Sequence, residues 1–325
     1  MNARGMTLVE LLVVLVILAG LTAAVMTGAA ATREKGRYEQ TARDAEAMAE
    51  ALTRADGLSL VSDLGLAPDS AEALCLLFGA RLPTETVTPD PENPGGTVTS
   101  VAVLDVPAWA LRSAPLIPAA IAPADLPAEV AAITNRFAAV TLGAGWRGPY
   151  CEGRALDADD SDPDNPIPYV VDGFGGPWEF DGETLVSRGR DRMDDALRPD
   201  AAAVDWRDRD RSFAVAVPTP TLSLTVKPEG DAVVKRLHVF VHQPALTVGA
   251  ASASVGLACR YHRFENADSV LLDEGLTLGE RVVFVLAETA SGAMAAPPRR
   301  VLLRPGANAV TLPLHYASAY PLTSP

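Results

Sequence analysis

Hydrophobic and polar residues follow three successive rhythms along this chain. From Met6 to Ala31 nearly every position is apolar or small, and Glu10 is the one charge. About 20 uncharged residues follow from Leu11, the length a helix needs to cross a bilayer. From Thr32 to about Thr53 the apolar residues Tyr38, Ala42, Ala45, Ala49 and Leu52 recur at steps of three or four. Glu39, Arg43, Asp44 and Glu50 occupy the other face, which is helical amphipathicity. No proline interrupts Met6–Thr53, so the spacing predicts one long helix over 6–56, stopped by Asp56-Gly57. From Pro218 the rhythm becomes that of strands, in Leu222–Val226, Leu237–Val241, Arg281–Val285 and Ala309–Leu314.

Between these lies a less regular stretch, 57–217. It predicts a short helix near Ser70–Phe78 capped by Asp69 or Ser70, a loop over Pro83–Gly96, a strand over Thr97–Val106 and a helix at about Pro127–Thr141. The expected class is α+β: a long N-terminal helix packed on a small antiparallel-sheet head over 57–217, then an all-β sandwich-like domain over 218–325. Val217-Pro218-Thr219-Pro220 serves as the linker.

Composition narrows the chemistry. The 325 residues include 25 Gly and 26 Pro with 6% aromatics, which suits short elements and many loops. The formal net charge of -14 repels nucleic acid and anionic lipid headgroups, so neither is expected as a partner of the soluble part. Cys75, Cys151 and Cys259 show no metal-ligand spacing. Outside the cytoplasm they allow one disulfide, with Cys75–Cys151 the expected pair, or else three buried thiols. His238 and His242 lie four apart on a strand and share a face. With His262 they could hold a metal, although satisfied or surface histidines, like His315, are the plainer reading. No Gly-x-Ser-x-Gly, phosphate-binding loop or HExxH occurs, and no enzyme activity is expected.

Glu10 is the most informative single residue. An ionised carboxylate inside lipid costs about 2 to 3 kcal/mol on insertion scales, so it implies a partner. A secretory signal peptide would have a shorter apolar core and a small-residue cleavage site. A plain anchor would not carry the charge. The run Gly5-Met6-Thr7-Leu8-Val9-Glu10-Leu11-Leu12 resembles the N-terminal signature of type IV pilins and type II secretion pseudopilins. In that family a membrane peptidase cuts after the glycine and methylates the new N-terminus. The resemblance implies a leader 1–5, cleavage between Gly5 and Met6, N-methylation of Met6, and a filament-assembly role for Glu10. Met6 stands where phenylalanine is usual. Arg33, Lys35 and Arg37 beyond the span, against Arg4 before it, run counter to the positive-inside tendency, with Glu34 diluting them.

Three later segments resemble the major pseudopilin of type II secretion: Gly145-Trp146-Arg147-Gly148-Pro149-Tyr150, then Asp172 to Phe180, then Glu183 to Asp191 ending in Ser187-x-Gly189-x-Asp191. Residues at about 58–144 look like an insertion, and the C-terminal domain like an addition. In major pseudopilins the loop after the last segment binds calcium. The resemblance therefore implies a possible Ca²⁺ loop of Ser187, Asp191, Asp194, Asp195, Asp200 and Asp205, since calcium takes six to eight oxygens. Arg190, Arg192 and Arg198 allow an ion-paired solvated loop instead. A second acidic run, Asp157 to Asp164, reads as solvated.

The expectation is a structural subunit of a type II secretion pseudopilus. Its partners would be copies of itself and other pseudopilins or pilins, the prepilin peptidase and an inner-membrane assembly platform. Before assembly it would be a single-pass protein of the bacterial inner membrane, with its head in the periplasm or in an extracytoplasmic filament. The alternatives are a type IV or minor pilin with an adhesive or binding C-terminal domain, and a membrane-tethered binding protein that never polymerises.

Overall fold

The computed structural model describes residues 8–54, 59–89, 97–121, 137, 139–152, 155–157, 168–197, 205–215 and 217–316. Helix α1 (Leu8–Thr53) runs 46 residues as one element. Its distal half buries Thr41, Ala45, Met48 and Leu52 at helical spacing, and leaves Glu39, Arg43 and Glu50 exposed. The expected stop, Asp56-Gly57, lies outside the described residues.

Helix α2 (Leu60–Leu64) is short and wholly buried, with the Ser59 hydroxyl accepting from Ser62 N at 3.1 Å. Helix α3 (Ala71–Leu74) is capped by Ser70 and continues as a 3₁₀ turn over Cys75–Leu77, where the sequence predicts a helix. Strands β1 (Arg81–Pro89) and β2 (Thr97–Asp105) pair antiparallel. The loop expected from Pro83 is thus a strand as far as Pro89. In a two-stranded sheet each strand is an edge, where proline is tolerated. Strands β3 (Ala110–Ala114) and β4 (Val140–Ala144) form a second pair. Most of the helix expected at Pro127–Thr141 is outside the described residues, but Val140 and Thr141 are strand, not helix. Short β5 (Ala155–Asp157) pairs with β6 (Pro168–Val170). Strands β7 (Glu179–Phe180), β8 (Thr184–Ser187) and β9 (Arg211–Ala214) make a three-stranded antiparallel sheet.

The C-terminal part is a seven-stranded curled sheet of β10 (Pro220–Pro228), β11 (Val234–Val248), β12 (Ala253–Glu265), β13 (Ser269–Leu272), β14 (Gly279–Thr289), β15 (Gly292–Leu303) and β16 (Gly306–Tyr316). Its order is β12-β11-β14-β15-β16-β10-β13, with β10 and β16 parallel. Strands β15 and β16 pair at Met294–Tyr316 and Ala295–His315, and the sheet turns a corner there. Leu237, Val239, Val283 and Val285 on one side of that corner share a core with Leu222, Leu224, Leu312 and Leu314 on the other. The α+β class therefore stands, with the sandwich-like unit built by curling.

The opposite face of β11 and β14 is apolar too. Phe240, Val282, Phe284 and Leu286 lie under Leu116, Val140 and Leu142 of the β3–β4 region. Burial on both faces explains the unbroken apolar runs in these strands.

Helix α2 joins the parts. Its C-cap Gly65 has φ +65°, and a Cβ there would sit 1.7 Å from the Pro244 carbonyl oxygen of β11. A Cβ on Gly279 would likewise reach Ser62 of α2. Gly65→Ala is expected to cost more than about 2 kcal/mol, because it combines left-handed strain with a backbone clash. Gly230→Ala, at φ +68° with open space around it, should cost about 1 kcal/mol. Denaturant unfolding of the detergent-solubilised chain compares the two; equal losses would mean that the α2–β11 contact is not rigid.

Candidate functional site

The first candidate site is the proximal half of α1. Large apolar side chains from Leu11 to Met26 stand exposed along it, with Val25 and Met26 more than two-thirds exposed. The helix is long and apolar enough over this window to cross a membrane. Its hydroxyls need no outside partner: Thr22 donates to Leu18 O at 2.7 Å, Thr27 to Ala23 O at 2.8 Å and Thr32 to Gly28 O at 2.9 Å. Glu10 is the third residue of α1. Gly5, Met6 and the side chain of Glu10 lie outside the described residues.

The second is the head that grips the distal half. In the Gly145–Tyr150 segment Trp146 Nε1 donates to Leu76 O at 2.8 Å, and Trp146 meets Tyr150 edge-on. Arg147 grips the buried Asp63 carboxylate with Nε at 3.0 Å and Nη2 at 2.6 Å, and Tyr150 OH donates to it at 2.8 Å. Burial raises the Asp63 pKa while Arg147 and Tyr150 hold it down. In the Asp172–Phe180 segment the Asp172 carboxylate accepts from Phe174 N at 2.9 Å and Gly176 N at 2.8 Å, and also from the Ser187 hydroxyl. Gly173 lies directly on α1: its amide donates to Thr41 Oγ1 at 3.1 Å, and a Cβ would come within 2.2 Å of Arg37 O. Sequence reasoning missed Asp63 and Thr41, whose partners are 84 and 132 positions away.

The proposed calcium loop is arranged otherwise. Ser187 is buried against Asp172, and Asp200 lies outside the described residues. Asp191, Asp194 and Asp205 each accept from a main-chain amide two residues on. Asp195 and Asp210 exchange amide-to-carboxylate bonds at 3.1 and 3.0 Å. Asp210 Oδ1 is buried without a hydrogen bond. A guanidinium occupies the cation's place: Arg188 lies against Glu179, against Asp210, and 3.2 Å from Asp194. Among the described residues no three His, Cys, Asp or Glu could hold a metal. The described residues of this loop do not fit a calcium ion, because the Arg188 guanidinium already lies among Glu179, Asp194 and Asp210.

Cys75 and Cys151 are separate thiols rather than the expected disulfide. Cys75 is buried in the head core, whereas the Cys151 thiol points to Glu152 O. Burial and the carboxylates of Asp44, Glu152 and Glu50 push the Cys151 thiol up to about 11. The histidines do not assemble a metal site either. His238 is buried between Glu288 (2.9 Å) and Tyr261 OH (3.0 Å), while His242 bonds Leu116 O at 3.0 Å. His262 faces Val239 in the β11–β12 register, which puts it on the other face of the sheet. His315 pairs with Glu229 at 3.3 Å.

Arg188→Ala should lower head stability by about 1 to 3 kcal/mol, since it strands partly buried carboxylates. Calcium should leave the melting temperature of the unaltered chain unchanged; a calcium-dependent rise would restore the metal loop.

Comparison with known proteins bears on the helix. No curated protein and no solved structure matches the chain. Residues 1–26 match the model of the prokaryotic N-terminal methylation motif, which covers the start of α1 and its exposed apolar stretch. The chain is therefore type IV pilin-like at its N-terminus, with a motif read by the prepilin peptidase.

Proposed function

We propose that the protein is a structural subunit of a pilus-like filament, a type II secretion pseudopilus, and not an enzyme. The observation that carries this is the methylation motif on a helix whose proximal half is apolar and exposed while its distal half holds the head. Such a helix needs lipid before assembly and neighbouring helices afterwards. Small residues at Gly20, Ala24, Gly28, Thr32 and Gly36 recur every four positions and permit close helix–helix approach. In a filament the ammonium of Met6 from one subunit would pair with Glu10 of its neighbour, so that neither charge stands alone in a low-dielectric core. The partners are then copies of this chain and other pseudopilins, with an inner-membrane assembly platform adding subunits from a single-pass precursor whose head lies in the periplasm.

The non-enzymatic reading is supported by how the head's charges are used. Arg147 and Tyr150 engage Asp63, and Arg188 engages Glu179 and Asp210, which leaves these groups to hold the fold. A second reading, a minor pilin, draws on the breadth of the curled sheet. A head enlarged by seven strands and a covering hairpin crowds a helical array and suits a subunit present in few copies.

Intact-mass and N-terminal peptide spectrometry of protein from native membranes tests processing. The expected chain begins at N-methyl-Met6. A chain beginning at Met1, in cells whose peptidase is active, would favour a tethered binding protein. Glu10→Ala should leave processing intact and reduce incorporation into filaments at least several-fold, read by shearing and immunoblotting; normal incorporation would remove the assigned role.

A further inference from the structure

Where α1 emerges from its apolar stretch, the head does not stand clear of it. Arg190 and Arg207 both reach Glu34, at 3.2 and 2.9 Å. Trp206 meets the Tyr38 ring edge-on with centroids 5.2 Å apart, and Arg211 lies 3.9 Å over that ring while donating to Tyr38 O at 2.9 Å. Glu34 is three residues past Ala31, about 4.5 Å along the helix. If Leu11 marks one edge of a hydrocarbon layer of about 30 Å, Ala31 marks the other. The loop segments 188–197 and 205–211 are therefore latched to the helix at headgroup depth.

Their exposed side chains suit that position. Met193, Leu197 and Trp206 are large apolar groups at 54%, 80% and 42% exposure. Residues 188–197 and 205–211 carry six Arg against six Asp, and Arg33, Lys35 and Arg37 stand on the helix against Glu34, so this region is not acidic although the chain has a net charge of -14. Tryptophan settles at a membrane interface because its ring is apolar and its N–H is polar, and Arg190 and Arg207 keep their charges paired with Glu34, Asp208 and Asp205.

We propose that this collar seats in the lipid headgroup layer beside the helix, with Trp206, Met193 and Leu197 in the interface. The occupant is the bilayer because the surface is continuous with the membrane-crossing stretch. Seated there, the collar sets the depth and tilt of α1 before the subunit leaves the membrane. The proposal rests on the reading of α1 as a membrane anchor.

The chain has four tryptophans, of which Trp178 is buried, Trp146 is half-buried in the head and Trp109 is exposed on another segment. Full-length protein is reconstituted in phosphatidylethanolamine–phosphatidylglycerol vesicles containing brominated acyl chains, and tryptophan emission is recorded. Bromine near the headgroup end should quench more than bromine near the chain end. Trp206→Phe, which keeps an aromatic edge for Tyr38, should remove at least half of that quenching; Trp109→Phe should leave it unchanged. Co-flotation resistant to alkaline carbonate reports the anchor separately. Protein that floats but shows no quenching, or quenching indifferent to Trp206→Phe, would overturn the collar alone, including in favour of a face reserved for a neighbouring subunit. Protein that fails to float would overturn the anchor reading on which the collar rests.

Discussion

A buried helix of one and a half turns, α2, decides how the rest of the head is assembled. Removing a helix end from water strands its polar groups unless other segments come to meet them. Those of α2 are met by distant parts of the chain. The buried Asp63 carboxylate takes Arg147 and Tyr150, and the Asp63 carbonyl takes Gly145 N at 3.0 Å. From the other side the buried Arg281 of β14 donates to Ser62 O at 3.3 Å, and also to Thr277 O and Glu280 O of its own segment. Burial pulls the Arg281 pKa down, and the carboxylates of Asp63 and Glu280 push it back up. Each charge is tolerable only while the other segments stay in place, so the helix ties the α+β head to the curled sheet.

The same logic governs the loop expected to hold a metal. A divalent ion and a guanidinium are alternative ways of holding carboxylates together. The guanidinium is covalently part of the chain and reaches in a fixed planar fork. Arg188 closes this loop against Glu179 on β7 and Asp210 just before β9, so the three-stranded sheet and the loop brace one another. Arg190 and Arg207 then carry the bracing on to Glu34 of α1. Of the arginines that allow a solvated loop, Arg190 pairs with Asp208 and Glu34, Arg192 donates to Gly175 O, and Arg198 lies outside the described residues.

Several features were legible from spacing alone, and the failures share a cause. Helical rhythm named Ala45 and Leu52 of the buried stripe of α1 and fell one residue from Thr41 and Met48, at Ala42 and Ala49; Thr41 is buried for its hydroxyl rather than its apolarity. The four alternating runs are strands β10, β11, β14 and β16. Strand β12 escaped because Arg260, His262, Arg263 and Glu265 interrupt the alternation on an edge strand. Strand β15 escaped because Pro297 and Pro298 break its pattern, and they fall where its register with β14 slips. The disulfide expectation came from residue type and the calcium loop from the family resemblance, and neither source carries the long-range packing that sets Cys75 in the core and Arg188 among the carboxylates. The N-terminal methylation motif was legible because it is contiguous: a glycine-led run, a lone carboxylate and an uninterrupted apolar stretch.

Threonine shows how one helix serves two surroundings. Along the exposed half Thr22, Thr27 and Thr32 turn their hydroxyls back onto carbonyls four residues earlier, so the surface offered to lipid or to other helices holds no unmet donor. Thr41 makes the same turn, donating to Arg37 O at 3.0 Å, but its oxygen also accepts the Gly173 amide. That acceptance requires a backbone without a side chain at residue 173, close enough for a Cβ to collide with Arg37 O. A local habit that keeps the proximal helix self-sufficient becomes, at Thr41, the point where the head takes hold.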